Sequence, residues 1–297
     1  MLFGDLIVWY LFLGGIGGGT YLVVFALDLF GRAGFRECAE EHRSVEIPAL
    51  VGSAAALGFG ALCLLKDLAR PTEVVLLATR PTPTAISIGS FALGSCLVGV
   101  VVLIVLALMG GRKRFPLASL LVGIATAALA AVVVTYAGLL LGAMSSVPLW
   151  SPAALPVLLV LSSLSTGLAA VLAITSFKRA AGASAGPVPG RLAACDMIVI
   201  VFETLTLVAF VAQLLVGHGM ARPVELLVNG AYSLHFWIGF ATLGLILPLI
   251  MECASAIAGW KSPSYFAAVA VCVLVGGFFL RYWVVHAGVH LSTIMFM

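Results

Sequence analysis

TAISIGSFALGSCLVGVVVLIVLALM, residues 84–109, carries no charged side chain from end to end. A helix needs about 20 mostly apolar residues to cross the hydrocarbon core of a bilayer, and this run exceeds that. It lacks the alternation of apolar and polar positions that a barrel strand would show. Seven further runs of the same kind flank it: Leu6–Phe30, Ile47–Leu65, Pro116–Ala143, Leu155–Phe177, Ala193–Val216, Ser233–Ala256 and Tyr265–Ala287. The sequence therefore reads as an all-α integral membrane protein, a bundle of eight transmembrane helices. The first run begins almost at Met1, with no basic stretch before it and no small-residue cleavage site. It is expected to be a retained helix and not a signal peptide.

Composition points the same way. Of 297 residues, 63% are hydrophobic and 9% charged, with a mean hydropathy of +1.22; soluble domains carry roughly 45–50% apolar and 25% charged residues. The 32 Gly and 13 Pro follow no three-residue period, which excludes a collagen-like fold. A net charge of +3 would suggest nucleic acid in a soluble protein. Here it is the Lys/Arg excess of loops on one side of a membrane, and no nucleic-acid partner is expected. One side collects Arg32, Arg36, Arg43, Arg112, Lys113, Arg114, Lys178, Arg179, Arg191 and Lys261. The other holds Lys66, Arg70, Arg80 and Arg222, while Arg281 falls inside the last run. The positive-inside rule then puts both termini on the non-cytoplasmic side. The segment KRAAGASAGPVPGR, residues 178–191, is small and rich in Gly and Pro. It reads as a cytoplasmic linker between helices one to five and six to eight, within one domain.

Several residues inside the runs need a reason. LGGIGGGT in the first helix places Gly14 and Gly18, and Gly15 and Gly19, four apart, a spacing that lets another backbone approach closely. SSLSTG, residues 162–167, is expected to serve helix packing in the same way. Ionisable groups in mid-membrane each cost ~2.5–3.5 kcal/mol on insertion scales, so they should be paired, hydrated or functional. Glu203 lies near the middle of helix six, and Asp196 is two turns earlier on the same face, about 10 Å along the axis. One reading is a carboxylate relay for protons from the cytoplasmic side. The other puts Asp196 in the headgroup zone and Glu203 as a protonated carboxyl bonded to hydroxyls such as Thr206. Arg281 keeps its charge and should meet an anion or a set of carbonyls. Tyr136, Trp9 and Tyr10 fall at similar depth, with His235 and His286 nearer the outer rim. Taken singly, Trp9, Tyr10 and Trp150 also suit an interfacial aromatic belt. Together such donors and proton-exchanging groups suit a lipid-soluble quinone, whose two carbonyls want hydrogen bonds while its tail stays in apolar surroundings.

Metal cofactors find less support. The six cysteines stand singly, with no C-x-x-C, so neither an iron–sulfur cluster nor a structural zinc is expected in this protein. His42 reads as a loop residue, and His218, His235, His286 and His290 lie at or beyond helix ends. That leaves room for one haem near the outer rim but not for a transmembrane pair.

Two stretches are distinctive: Leu64–Leu93, LLKDLARPTEVVLLATRPTPTAISIGSFAL, and Thr135–Ala169, TYAGLLLGAMSSVPLWSPAALPVLLVLSSLSTGLA. Both resemble the NrfD/polysulfide-reductase membrane-subunit family, whose members show a D-L-G-R-P segment and a T-Y-x-G-x-L-L…S-x-P-x-W…L-x-S-S-x-x-x-G segment. YLFLGGIGGGTYL in helix one, FWIGFATLGLILPL in helix seven and GFFLRYWVVHAG in helix eight agree too. Ala69 stands where the family usually has Gly. The resemblance covers nearly the whole sequence and implies a single NrfD-like transmembrane domain over residues 1–297. It implies the membrane subunit of a respiratory oxidoreductase in a bacterial or archaeal cytoplasmic membrane, free of haem, with menaquinone or ubiquinone near the outer face. The implied partners are a ferredoxin-like [4Fe-4S] subunit and, behind it, a molybdopterin-type catalytic subunit.

Carried across residue by residue, the resemblance makes Tyr136 a donor to a quinone carbonyl and Asp67 a proton-exchanging group. Arg70 becomes the ion-pair partner of Asp67 or a docking contact. Trp9 and Tyr10, with Asp5 just before them, border the quinone, and Arg281 and His286 join from helix eight. Asp196 and Glu203 correspond to acidic positions associated with a proton path. Trp150 and the loops Lys66–Pro83 and Met144–Pro156 form the expected docking surface. Two other classes stay open at this point: a proton-coupled transporter or channel using Asp196 and Glu203, and a haem b anchor. The paired broken helices of a transporter are not evident in the sequence.

Overall fold

A computed structural model of the protein describes residues 4–67, 85–110, 114–143, 147–182, 188–216, 230, 232–259 and 262–295. These residues are helical apart from turns. The elements in order are α1 (Asp5–Arg32), α2 (Arg36–Asp67), α3 (Ala85–Leu108), α4 (Pro116–Gly142), a 3₁₀ turn (Pro148–Trp150), α5 (Ala154–Ala180), α6 (Val188–Val216), α7 (His235–Ala258) and α8 (Pro263–Met295). All eight helices are long and apolar enough to cross a membrane.

The runs expected from hydropathy match these helices, with the largest difference at α2. It starts at Arg36 instead of Ile47, so RECAEEHRSVE is helical although charged. Hydropathy marks only the part of a helix that lies in hydrocarbon. Pro48, which cannot donate a backbone hydrogen bond, sits inside α2 near that transition. His42, expected in a loop, is helical and 4% exposed, with Nδ1 3.8 Å from Glu46 Oε2. The turn from α1 into α2 is made by Gly34, whose φ of +104° suits a residue without a side chain.

Helices alternate in direction, which gives the bundle two faces. The starts of α1, α3, α5 and α7 and the ends of α2, α4, α6 and α8 make the terminal face. There His286 meets Asp5 at 3.1 Å and Trp150 Nε1 donates to Val284 O at 2.9 Å. On the opposite face Arg191 pairs with Glu37 at 2.7 Å, and Lys178 Nζ donates to Ser44 O. Of the basic residues counted on one side of the sequence, Arg32, Arg36, Arg43, Arg114, Lys178, Arg179 and Arg191 are among the described residues and lie at this opposite face.

α1, α5 and α8 make the centre, with 67%, 61% and 56% of their most apolar windows buried, against 28% for α3 and 22% for α6. The outer helices present Val98, Leu108, Phe202 and Leu205 outward, where lipid tails would cover them. Apolar tails give helices little reason to associate hydrophobically, so close backbone approach does that work. α1 and α5 nearly touch: a Cβ on Gly19 would lie 2.0 Å from Ser163 O, and one on Gly167 2.3 Å from Gly19 C. The glycine run of helix one is thus a packing surface, as its spacing predicts.

α7 changes winding. His235–Ile246 is π-helical and Leu247–Ala258 is α-helical. Thr242 Oγ1 donates to Trp237 O, five residues back, and Leu247 N donates to Thr242 O with the same span. Pro248 follows directly and has no N–H to continue that pattern.

Candidate functional site

The bundle centre holds a row of polar groups built on SSLSTG in α5. Arg281 of α8 is 1% exposed, and four of its five N–H groups are bonded. Its Nε donates to Leu11 O at 3.3 Å and Nη1 to Gly277 O at 2.7 Å and Ser162 Oγ at 3.1 Å. Nη2 donates to Ser163 Oγ at 2.8 Å. Gly15 of α1 makes room for it, since a Cβ there would come within 2.7 Å of Nη2. Glu203 of α6, 3% exposed, is in hydrogen-bond reach of Ser162 and within the field of the Arg281 charge. One turn further along α5, Ser165 Oγ donates to Asp196 Oδ1 at 2.7 Å. Asp196 is 1% exposed and meets Glu252 of α7, itself 3% exposed. The order from the opposite face inward is therefore Asp196 with Glu252, then Glu203, then Arg281.

Chemically, such a row can fix one positive charge, balance it with one carboxylate and hold protons on the rest. A guanidinium with four N–H groups directed at carbonyls and hydroxyls is held in place by them. It sets a local positive potential for the carboxyls around it.

Nearer the terminal face a second set of groups gathers. Tyr10 of α1 and Tyr136 of α4 are 4% and 7% exposed, and their phenols are close enough to interact electrostatically. Gly89 of α3 lets the Tyr136 ring lie against that helix, because a Cβ there would fall 2.2 Å from the ring. Trp9 turns the other way, 45% exposed, with its ring 4.9 Å from Phe278. Beside it His286 meets Asp5, and its ring lies 4.4 Å from Tyr282. His235 of α7 stacks on the same Tyr282 at 4.9 Å. His286 Nε2 and His235 Nδ1 are buried without an aligned hydrogen bond.

An eight-helix bundle with this buried polar row has known relatives. The family model described as Polysulphide reductase, NrfD matches residues 1–292. The protein belongs to the NrfD/polysulfide reductase family. The C subunit of polysulfide reductase from Wolinella succinogenes is 28% identical over 301 residues, covering 94% of this sequence and 92% of that one. Protein NrfD of Escherichia coli is 32% identical over 168 residues, 54% of this sequence and 50% of that one. The NrfD homolog of Haemophilus influenzae is 29% identical over a segment of the same length and coverage. Family membership identifies a multi-pass membrane subunit of the respiratory-oxidoreductase type.

In this NrfD-family protein the residues expected at one depth divide into groups. Tyr10 and Tyr136 form an inner pair facing the bundle. Asp5, Trp9 and His286 form a rim group on α1 and α8, joined by Tyr282 and His235. Arg281 belongs to neither and is committed to the serine row. Asp67 closes α2 at the terminal face, and its side chain lies outside the described residues. Arg70 lies outside them entirely, as does most of the loop Lys66–Pro83. Trp150 corrects an expectation: it is 1% exposed, with its indole spent on Val284 O, so it ties the α4–α5 loop to α8 and offers a partner no surface.

Other features were missed or misjudged in the sequence. Ser162, Ser163 and Ser165 bind ionisable groups as well as packing α5. Asp196 is 1% exposed within the bundle, and Thr206 donates to Phe202 O, not to Glu203. Glu252 was visible as an acidic residue in the apolar LPLIMECASA, and that was the signal to follow.

Proposed function

We propose that this subunit anchors a respiratory oxidoreductase in the cytoplasmic membrane and exchanges electrons between membrane quinone and an iron–sulfur partner subunit. The observation that carries the reading is the buried Tyr10–Tyr136 pair near the terminal face of an NrfD-family bundle. By the positive-inside rule the basic excess counted in the sequence makes the opposite face cytoplasmic, so in this reading the tyrosines lie toward the outside. The residues present fit a quinone head. Phenols are neutral donors that can serve a carbonyl oxygen in apolar surroundings, and the imidazoles of His286, against Asp5, and His235 add proton-exchanging capacity nearby.

A bound quinone would supply two-electron redox chemistry coupled to two protons. The protein's own share is binding and proton handling. Tyr136 and Tyr10 donate to the carbonyl oxygens and exclude water from them. His286, held against Asp5, takes a proton at Nε2 and gives it up to the outer aqueous side; Asp67 has the same role from the end of α2. Asp196 and Glu203 carry protons between the cytoplasmic face and the Arg281 region. The Wolinella relative is named as one part of a polysulfide reductase, which supports partner subunits here: a ferredoxin-like [4Fe-4S] protein and a molybdopterin-type catalytic subunit.

The test is Tyr136→Phe in the intact complex. Quinol-linked turnover should fall about tenfold, the worth of one hydrogen bond of ~1.4 kcal/mol, while turnover of the catalytic subunit with an artificial dye is unchanged. Full quinol turnover in this variant would contradict the site.

A further inference from the structure

Glu252 and Asp196 meet inside the bundle with little to support two negative charges. Asp196 Oδ1 accepts from Ser165 Oγ, but Asp196 Oδ2 and both oxygens of Glu252 find no donor among the described residues. The two carboxyls are nevertheless in hydrogen-bond reach of each other. Ionised carboxylates only accept, so a bond between them requires a proton on one.

Among the described residues, the surroundings supply no compensating charge. Facing the pair are Glu203 and Cys195 on α6, Ser165 on α5, Cys253 on α7 and Tyr265 on α8. None of these is a cation. Tyr265 donates its hydroxyl to Met251 O and not to Glu252. Arg281 is bound to Ser162 and Ser163 and faces Glu203 first. A doubly ionised pair would thus leave two uncompensated charges in hydrocarbon, a state the membrane strongly disfavours.

We propose that Asp196 and Glu252 form a proton-binding site that holds one proton in common between their facing oxygens and exchanges a second. With one proton the pair carries a single negative charge; taking a second from the cytoplasmic face makes it neutral, and passing one to Glu203 restores the first state. No electron moves in this exchange. Glu252 thereby becomes the entry group of the proton path, and this role in the path, unlike the shared proton itself, rests on the function proposed above. The ion pair Arg191–Glu37 lies just beyond, toward the cytoplasmic end of α6, and brackets the site on that side.

The test is infrared difference spectroscopy of the detergent-purified complex at about pH 8, far above the ~4 at which a carboxyl in water titrates. The wild-type complex should show the carbonyl stretch of a protonated carboxyl, shifted in heavy water. Glu252→Gln and Asp196→Asn, each of which keeps size and hydrogen bonding, should each remove that band, because the remaining carboxylate gains an amide donor. Should one variant fail to accumulate, the other decides alone. A band absent from the wild type, or unchanged in a variant, would overturn the shared proton. The band is read without turnover, so this outcome is separate from that of the quinone reading, which fails on Tyr136→Phe.

Discussion

Arg281 carries the charge around which the buried groups are arranged. Its guanidinium has four directed bonds, two to backbone carbonyls and two to serine hydroxyls, and Glu203 lies within its field. Where two buried charges act as a pair, removing one partner leaves an uncompensated charge, a loss of about 3–5 kcal/mol, whereas replacing both can be near neutral. Arg281→Met should therefore lower the thermal midpoint of the purified complex markedly, and adding Glu203→Gln should recover a large part of the loss. The double-mutant cycle is read by unfolding in detergent. Independent, additive effects of the two substitutions would show that Glu203 and Arg281 do not act as a pair. Lysine at position 281 is no conservative replacement, since a single ammonium cannot reach Leu11 O, Gly277 O and both serines together.

At the scale of helices, the contact between α1 and α5 sets the position of every serine in the polar row. Gly19 and Gly167 allow that contact, and a side chain at either would meet backbone. Gly19→Leu should abolish accumulation of the subunit in membranes, because overpacking against backbone exceeds the usual 1–3 kcal/mol of a crowded core. Gly94→Leu is the control: a Cβ there meets nothing within 4 Å, and accumulation should persist. Equal loss in both variants would count against the helix contact.

The helices themselves were legible because a bilayer demands long uncharged runs, and α3 to α5 fall nearly where hydropathy puts them. The start of α2 was not, since Arg36–Glu46 is helical outside the apolar stretch, where a charged helix costs little. The π winding of α7 leaves no mark in FWIGFATLGLI; only Pro248 punctuates it. Arg281 could be singled out from its position, but its partners could not. The sequence marked SSLSTG as a packing segment, and only the crossing of α5 with α6 and α8 shows that its serines meet Glu203, Asp196 and Arg281. Glu252 is the clearest omission, an acidic residue whose meaning depends on α7 and α6 being neighbours.

For the molecule as a whole, the two polar regions suggest a division of labour. The terminal side of the bundle offers phenols and imidazoles, while the centre and the opposite half hold carboxyls in a row. A quinone subunit needs the first, and proton movement needs the second. This account implies that the protein works inside a larger redox assembly and holds quinone there. The direct measurement is affinity purification from native membranes, with identification of the accompanying subunits and of the lipid-soluble redox compounds extracted from the complex. The account predicts an iron–sulfur subunit in constant proportion to this protein and a retained quinone that is depleted in Tyr136→Phe. A complex that contains no iron–sulfur protein and no quinone, and whose activity is indifferent to quinone analogues, would contradict it.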